Sequence, residues 1–258
     1  MTEHPGFGET LAWLLDHRKL SARELAGRAG LTADEVLAVL AGEAPGEGTL
    51  GRIAAALGFH AVDLFLLAEI AVPDDMAPLD AGAGRWAAEL VQDAVHLPAA
   101  GRGELLRVIR SLPQEERPSG SAAVRLAPDA GPGGWLIRML QYRNLGWTGM
   151  AKILAVVTPT YLSSATYGSI GNGRKVLTPR LVTDIAALLG IDARELAGLT
   201  GVPLREVPPP PAPEAVDAAA LLWEARRLSA GQAEHVSGLA RSMRGDSAGR
   251  YVINLPGS

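Results

Sequence analysis

An all-α fold is expected for this 258-residue chain, and three observations predict it. Alanine and leucine dominate while aromatics are only 5%, a composition that favours helices over strands. Apolar residues recur at three- and four-residue spacing behind strong helix-start signals. The plan also recurs along the chain. Arg18-Lys19-Leu20 is answered by Arg143-Asn144-Leu145 at an offset of 125 residues, and Ile53-Ala54-Ala55-Ala56-Leu57-Gly58 by Ile185-Ala186-Ala187-Leu188-Leu189-Gly190 at 132. The growth in offset places about seven extra residues between the matched stretches of the second copy.

The first module is expected over residues 7–70. Leu11, Leu14 and Leu15 space a first amphipathic helix that ends near Leu20. Ser21-Ala22-Arg23-Glu24 is a capping box, in which the hydroxyl accepts from the third backbone N–H while the glutamate reaches back. Gly30 supplies the next turn, and Thr32-Ala33-Asp34-Glu35 is a second capping box. Val36, Leu37 and Leu40 face inward on the third helix, which stops at Gly42. Leu50, Ile53, Ala54 and Leu57 form the fourth helix, closed by Gly58, and a fifth spans Ala61 to Ile70.

The second module is expected over residues 134–200. Trp135, Leu136, Met139 and Leu140 begin it, and Met150, Ala151 and Leu154 form its second helix. Ala155-Val156-Val157 then reads as a turn without glycine. Thr158-Pro159 reads as an N-cap with proline at the first helical position, opening an unusually long third helix to Ile170. Thr178-Pro179 repeats the device before Leu181, Ile185 and Leu188.

A helical hairpin follows each module. Residues 83–112 break at Leu97-Pro98, and residues 214–244 break at Leu228-Ser229. Linkers are expected at 113–133, with Pro118-Ser119-Gly120 and Asp129-Ala130-Gly131-Pro132-Gly133, and at 203–213, with a stiff Pro208–Pro211 run. Residues 245–258 read as a tail. Trp13, Trp86, Trp135, Trp147 and Trp223 read as core anchors.

Several classes are set aside. Without cysteine there is no disulfide or thiolate metal site. His4, His17, His60, His96 and His235 are scattered, with no pair flanking a carboxylate at helical spacing, so no metal is expected. The Gly168–Lys175 stretch lacks the Gly-Lys-Ser/Thr ending of a phosphate loop. No cofactor and no enzymatic activity are expected. The N-terminus lacks a leader-like apolar run, so a soluble, cytoplasmic chain with no membrane partner is expected.

Net charge is −4, but its distribution is more informative than its sum. Residues 1–70 carry five Lys/Arg against ten Asp/Glu, whereas residues 134–200 carry seven against three. The first module is acidic and the second basic.

Two short helices joined by a turn and framed by three others resemble the Xre/lambda-repressor-like helix-turn-helix family, in a tandem arrangement similar to an actinobacterial type. In the first module the resemblance rests on Leu20-Ser21-Ala22-Arg23-Glu24-Leu25-Ala26 and Gly30-Leu31-Thr32. In the second it rests on Asn172-Gly173-Arg174-Lys175, Leu177-Thr178-Pro179 and Ile185–Ile191. It implies two lambda-repressor-like five-helix modules and a sequence-specific DNA-binding transcriptional regulator, with double-stranded DNA as partner and a homodimer or another regulatory protein beside it.

The third helix of the first module departs from this pattern, because Asp34 and Glu35 stand at its start and no basic residue follows to Gly42. Those acids either complement the helix dipole or accept from cytosine. The second module is therefore the expected main reader. Thr158, Thr160, Ser163, Ser164, Thr166 and Tyr167 offer hydroxyls, while Arg174, Lys175 and Arg180, flanked by Lys152 and Arg143, offer phosphate contacts. Six such contacts imply a salt slope near about −5, at about 0.9 per phosphate. Ser21, Arg23, Arg28 and Thr32 are secondary candidates, and the first module otherwise sets geometry or dimerises. The alternative class is a protein-interaction adaptor whose modules no longer bind DNA.

Overall fold

Fourteen α-helices and two single 3-10 turns make up the computed structural model, which describes residues 6–117 and 131–252; no strand occurs among them. Before the linker come α1 (Phe7–Arg18), α2 (Ala22–Ala29), α3 (Ala33–Leu40), α4 (Glu47–Leu57), α5 (Ala61–Leu67), α6 (Gly84–Ala94) and α7 (Ala99–Ser111). After it come α8 (Pro132–Tyr142), α9 (Trp147–Val157), α10 (Ser164–Gly171), α11 (Pro179–Leu189), α12 (Ala193–Thr200), α13 (Pro213–Ala225) and α14 (Ala230–Val252).

The start signals act as their chemistry requires. Ser21 Oγ accepts from Glu24 N (3.2 Å) while Glu24 accepts from Ser21 N (2.8 Å), and Thr32 and Glu35 repeat this at 3.2 and 2.7 Å. Matched backbone occurs at matched places: Lys19 and Asn144 both follow a helix with positive φ (56° and 63°), and Gly58 and Gly190 close α4 and α11 with φ of 71°.

Four boundaries differ from expectation. Ala155–Val157 is not a turn, because α9 continues through it, and Thr158-Pro159 ends that helix instead of opening the next. A residue before proline is driven from helical to extended backbone, and Thr158 sits at φ −133°, ψ 162°. At Thr178-Pro179 the same dipeptide does open a helix, since Leu181, Val182 and Ile185 behind it form a buried stripe. Behind Pro159 stand Thr160 and the exposed Tyr161, so α10 starts only at Ser164 and is eight residues long. Further, α5 stops at Leu67, α8 already begins at Pro132 within the expected linker, and α14 continues to Val252 through the expected tail. Pro118-Ser119-Gly120, Asp129-Ala130 and residues 253–258 lie outside the described residues.

The two halves interlock instead of standing as separate modules with private hairpins. Helix α1 packs on α12, α5 on α8, and α6 on both α9 and α14, while α13 bridges α7 and α11. Trp13 is 37% exposed, yet its indole lies so close to α12 that a Cβ at Gly198 would fall 1.9 Å from Cη2. Beside it, Arg18 of α1 grips Glu195 through Nε and Nη2, both at 2.6 Å, and donates to Leu57 O at 2.5 Å. Glu195 belongs to the hexapeptide Ala193–Gly198, identical to Ala22–Gly27, whose Glu24 only caps its own helix. The same six residues serve two purposes because their neighbours differ.

At the centre, Arg143 and Asp63 are both fully buried and pair through two 2.9 Å bonds, Nη1 to Oδ1 and Nη2 to Oδ2. The guanidinium also donates to Met139 O (3.1 Å) and Leu189 O (3.0 Å), so it ties α5, α8 and α11 together, although Nε finds no partner among the described residues. Trp223 of α13 closes the site, its ring 5.4 Å from Arg143 Cζ and stacked on His60 at 3.4 Å.

Asp63→Ala is expected to lower unfolding free energy by about 3–5 kcal/mol, since it strands a buried guanidinium. The double variant Asp63→Leu/Arg143→Met restores most of that loss in urea denaturation. Burial, reinforced by Arg143, holds the His60 imidazole down at about 4. The unfolded chain then binds the extra proton between that value and the ordinary 6.5, so stability is complete above about pH 6.5 and falls toward pH 4. The ceiling is about 3 kcal/mol; partial exposure screens it to about 1–2 kcal/mol. His60→Gln is expected to flatten this part of the pH–stability curve.

Candidate nucleic-acid interface

The candidate surface is built by α9, α10 and the turn into α11. Ser163 caps α10 by accepting from Thr166 N at 3.3 Å, and its hydroxyl lies 3.1 Å from that of Thr166. Ser163 is exposed, while Ser164 and Thr166 are half-buried. The chain leaves α10 through Gly173, whose φ of 67° turns it sharply, and the N–H groups of Arg174 and Lys175 both donate to Ser169 O (2.8 and 3.2 Å). That closure pins the backbone of two adjacent cations whose side chains stay exposed. Val176 beside them is 84% exposed and Tyr161 is 78% exposed. Thr178 caps α11 by accepting from Leu181 N.

The electrostatics of this region are one-sided. No carboxylate occurs between Asp129 and Asp184. The three acids of residues 184–200 are occupied: Asp184 is buried and accepts the Thr160 hydroxyl, Asp192 caps α12 through Arg194 N and Glu195 N, and Glu195 is held by Arg18. Lys152, Arg174 and Lys175 are exposed and form no ion pair among the described residues. Arg180, also exposed, donates to Pro159 O at 3.1 Å and approaches Asp184 at 3.7 Å.

Four expected contact residues are not on this surface. Arg143 is the buried partner of Asp63. Thr160 is 6% exposed and spends its hydroxyl on Asp184, while Thr158 turns its own back to Leu154 O at 2.7 Å. Tyr167 is fully buried, its hydroxyl has no partner among the described residues, and burial pushes that group up to about 12. The reasons differ: Arg143 is drawn in by Asp63, extended backbone at Thr158 ends α9 and leaves Thr160 to reach Asp184, and Tyr167 falls on the core-facing side of α10. Lys152, Ser163, Ser164, Thr166, Arg174, Lys175 and Arg180 stay accessible to varying degrees. Tyr161 and Val176 carry no sequence signal that marks them as surface residues, whereas the carboxylate-free stretch is visible in the sequence itself.

The α2–α3 pair of the first half is the tighter helix-turn-helix, joined by Gly30 in left-handed backbone (φ 62°). Its chemistry is different. Ser21 and Thr32 are consumed by their capping boxes, and the caps hold Glu24 and Glu35 below the usual carboxylate range. Arg23 and Arg28 are exposed, but so are Asp34, Glu43 and Glu47, and Leu37, expected to face inward, stands 52% exposed on α3. Arg52 is drawn to Gly30 O (3.0 Å) and to Glu35 (3.9 Å). Glu35 is therefore a cap, not a base reader, in this geometry.

Among the described residues no group of three His, Asp or Glu is placed to hold a metal, and no single helix is long and apolar enough to cross a membrane. No family model, curated protein or solved structure matches the chain.

Thr160→Val tests the inward assignment. Losing the hydroxyl leaves the Asp184 carboxylate short of a buried donor, and a stability loss of about 1–3 kcal/mol is expected by chemical denaturation. A solvent-facing threonine would change stability by less than about 0.5 kcal/mol.

Proposed function

We propose that this protein is a DNA-binding transcriptional regulator that docks duplex DNA through α10 and the Arg174–Lys175 turn of its second half. The observation that carries this reading is the pair of exposed cations, without an ion pair among the described residues, in a stretch of chain from residue 130 to 183 that holds no carboxylate. Phosphate contacts supply most non-specific affinity, and cations that no carboxylate of the described residues neutralises offer them directly. The hydroxyls of Ser163 and Thr166, at the start of a short helix, add small donors and acceptors for phosphates or base edges. The first half, acidic around α3, then orients the reader or meets a second copy of the chain.

Arg143 contributes nothing to this surface, so three or four cations remain: Lys152, Arg174, Lys175 and, restrained by Asp184, Arg180. The salt slope of duplex binding is then about −2.7 to −3.6, at about 0.9 per phosphate. Fluorescence anisotropy across a KCl series measures it. Arg174→Ala/Lys175→Ala should make the slope shallower by about 1.8 while leaving the fold intact, because neither side chain has an intramolecular partner among the described residues. Absence of binding at low salt would favour the adaptor reading instead.

A further inference from the structure

Three arginines, none of them among the candidate DNA contacts, converge on a cavity of about 260 Å³, lined by Arg117, Arg226 and Arg227 with Gln114, Trp223, Asp75 and Glu224. It lies between the 74–79 segment, residues 114–117 and the C-terminal end of α13. We infer that this cleft binds a small, multiply charged oxyanion, a phosphate- or carboxylate-bearing metabolite, through these three guanidiniums. The inference stands independently of the DNA reading.

The arginines are held, but their charge is not matched. Arg117 donates to four backbone carbonyls, those of Pro78 (2.7 Å), Asp74 (3.1 Å), Ala77 (3.2 Å) and Leu79 (3.3 Å). Arg226 donates to Met76 O and lies 4.1 Å over the Trp223 ring. Arg227 takes Leu112 O, Arg110 O and Gln114 Oε1 at 3.1 to 3.3 Å. Carbonyl dipoles satisfy N–H groups, yet none of the three forms an ion pair among the described residues. Of the two lining carboxylates, Glu224 is engaged by Arg110 at 2.9 Å, and Asp75 is exposed without an ion pair among the described residues. Burial, and after it the charge of Arg143, pulls the Arg226 guanidinium down to about 10.

Size and shape narrow the ligand. Drug-sized ligands fill roughly 300–1,000 Å³, so this cleft suits something smaller. His60 stacks on Trp223 and Arg226 lies over the ring, leaving little room for a nucleobase. Guanidinium forks match phosphate and carboxylate oxygens in pairs.

Calorimetric titration of the full chain with inorganic pyrophosphate, and separately citrate, against KCl at matched ionic strength tests this and separates the phosphate from the carboxylate form. Saturable binding of at least one is expected, weakened about tenfold by Arg227→Gln, the loss of one charge-assisted contact. Asp75→Asn removes the opposing acid at an exposed turn and should tighten binding several-fold; where the two variants disagree, Asp75→Asn decides. Neither anion binding beyond the KCl control, or an affinity unmoved by Asp75→Asn, overturns the inference. So does loss of binding in Arg174→Ala/Lys175→Ala, which would place the anion on the outer surface.

Discussion

The Arg143–Asp63 pair is the constraint on which the arrangement of the two halves depends. A guanidinium and a carboxylate withdrawn from water are tolerated only when nearly every polar atom is satisfied. That requires α5, α8 and α11 to meet at one point, because Asp63 lies on α5, the Met139 carbonyl on α8 and the Leu189 carbonyl at the end of α11. Apolar contacts between alanine-rich helices slide easily; a bidentate ion pair does not. We regard the pair as a registration device, with Arg18–Glu195 and the Trp13–Gly198 contact as its outer supports.

This packing decides what each half offers to the outside. Cations that would crowd the basic half are absorbed into the junction, as Arg143 is, while Arg18 neutralises Glu195 from across it. The surface left over is sorted by sign: acids around α3, unpaired cations after α10. A second junction, where α13 meets the segment after α5, gathers Arg117, Arg226 and Arg227 against carbonyls instead of carboxylates. Charge in this molecule is arranged as much by burial as by composition.

Local signals were legible in the sequence where the governing chemistry is local. Both capping boxes, the glycine ends of α4 and α11, and the hairpin breaks at Leu97-Pro98 and Leu228-Ser229 depend on neighbours a few residues away. What failed depends on distant residues. Nothing near Arg143 announces Asp63, and nothing in Thr158-Pro159 distinguishes it from Thr178-Pro179 except whether an amphipathic stripe follows. Thr160 and Tyr167 read as surface hydroxyls because polar groups are usually outside, and Asp184, which draws Thr160 inward, is far along the chain. Of the candidate site, the Arg174–Lys175 turn and the end of the helix leading to it were readable, and the start of that helix at Ser164 was not.

DNA is proposed to meet the second half at the turn after α10 and not the first half at α3. A photoreactive amino acid placed at Val176, and in a separate protein at Leu37, reads this directly, since both side chains are exposed. Irradiated with labelled duplex at low salt, the Val176 position is expected to crosslink and the Leu37 position to remain free. Crosslinking at Leu37 with none at Val176 would contradict the account.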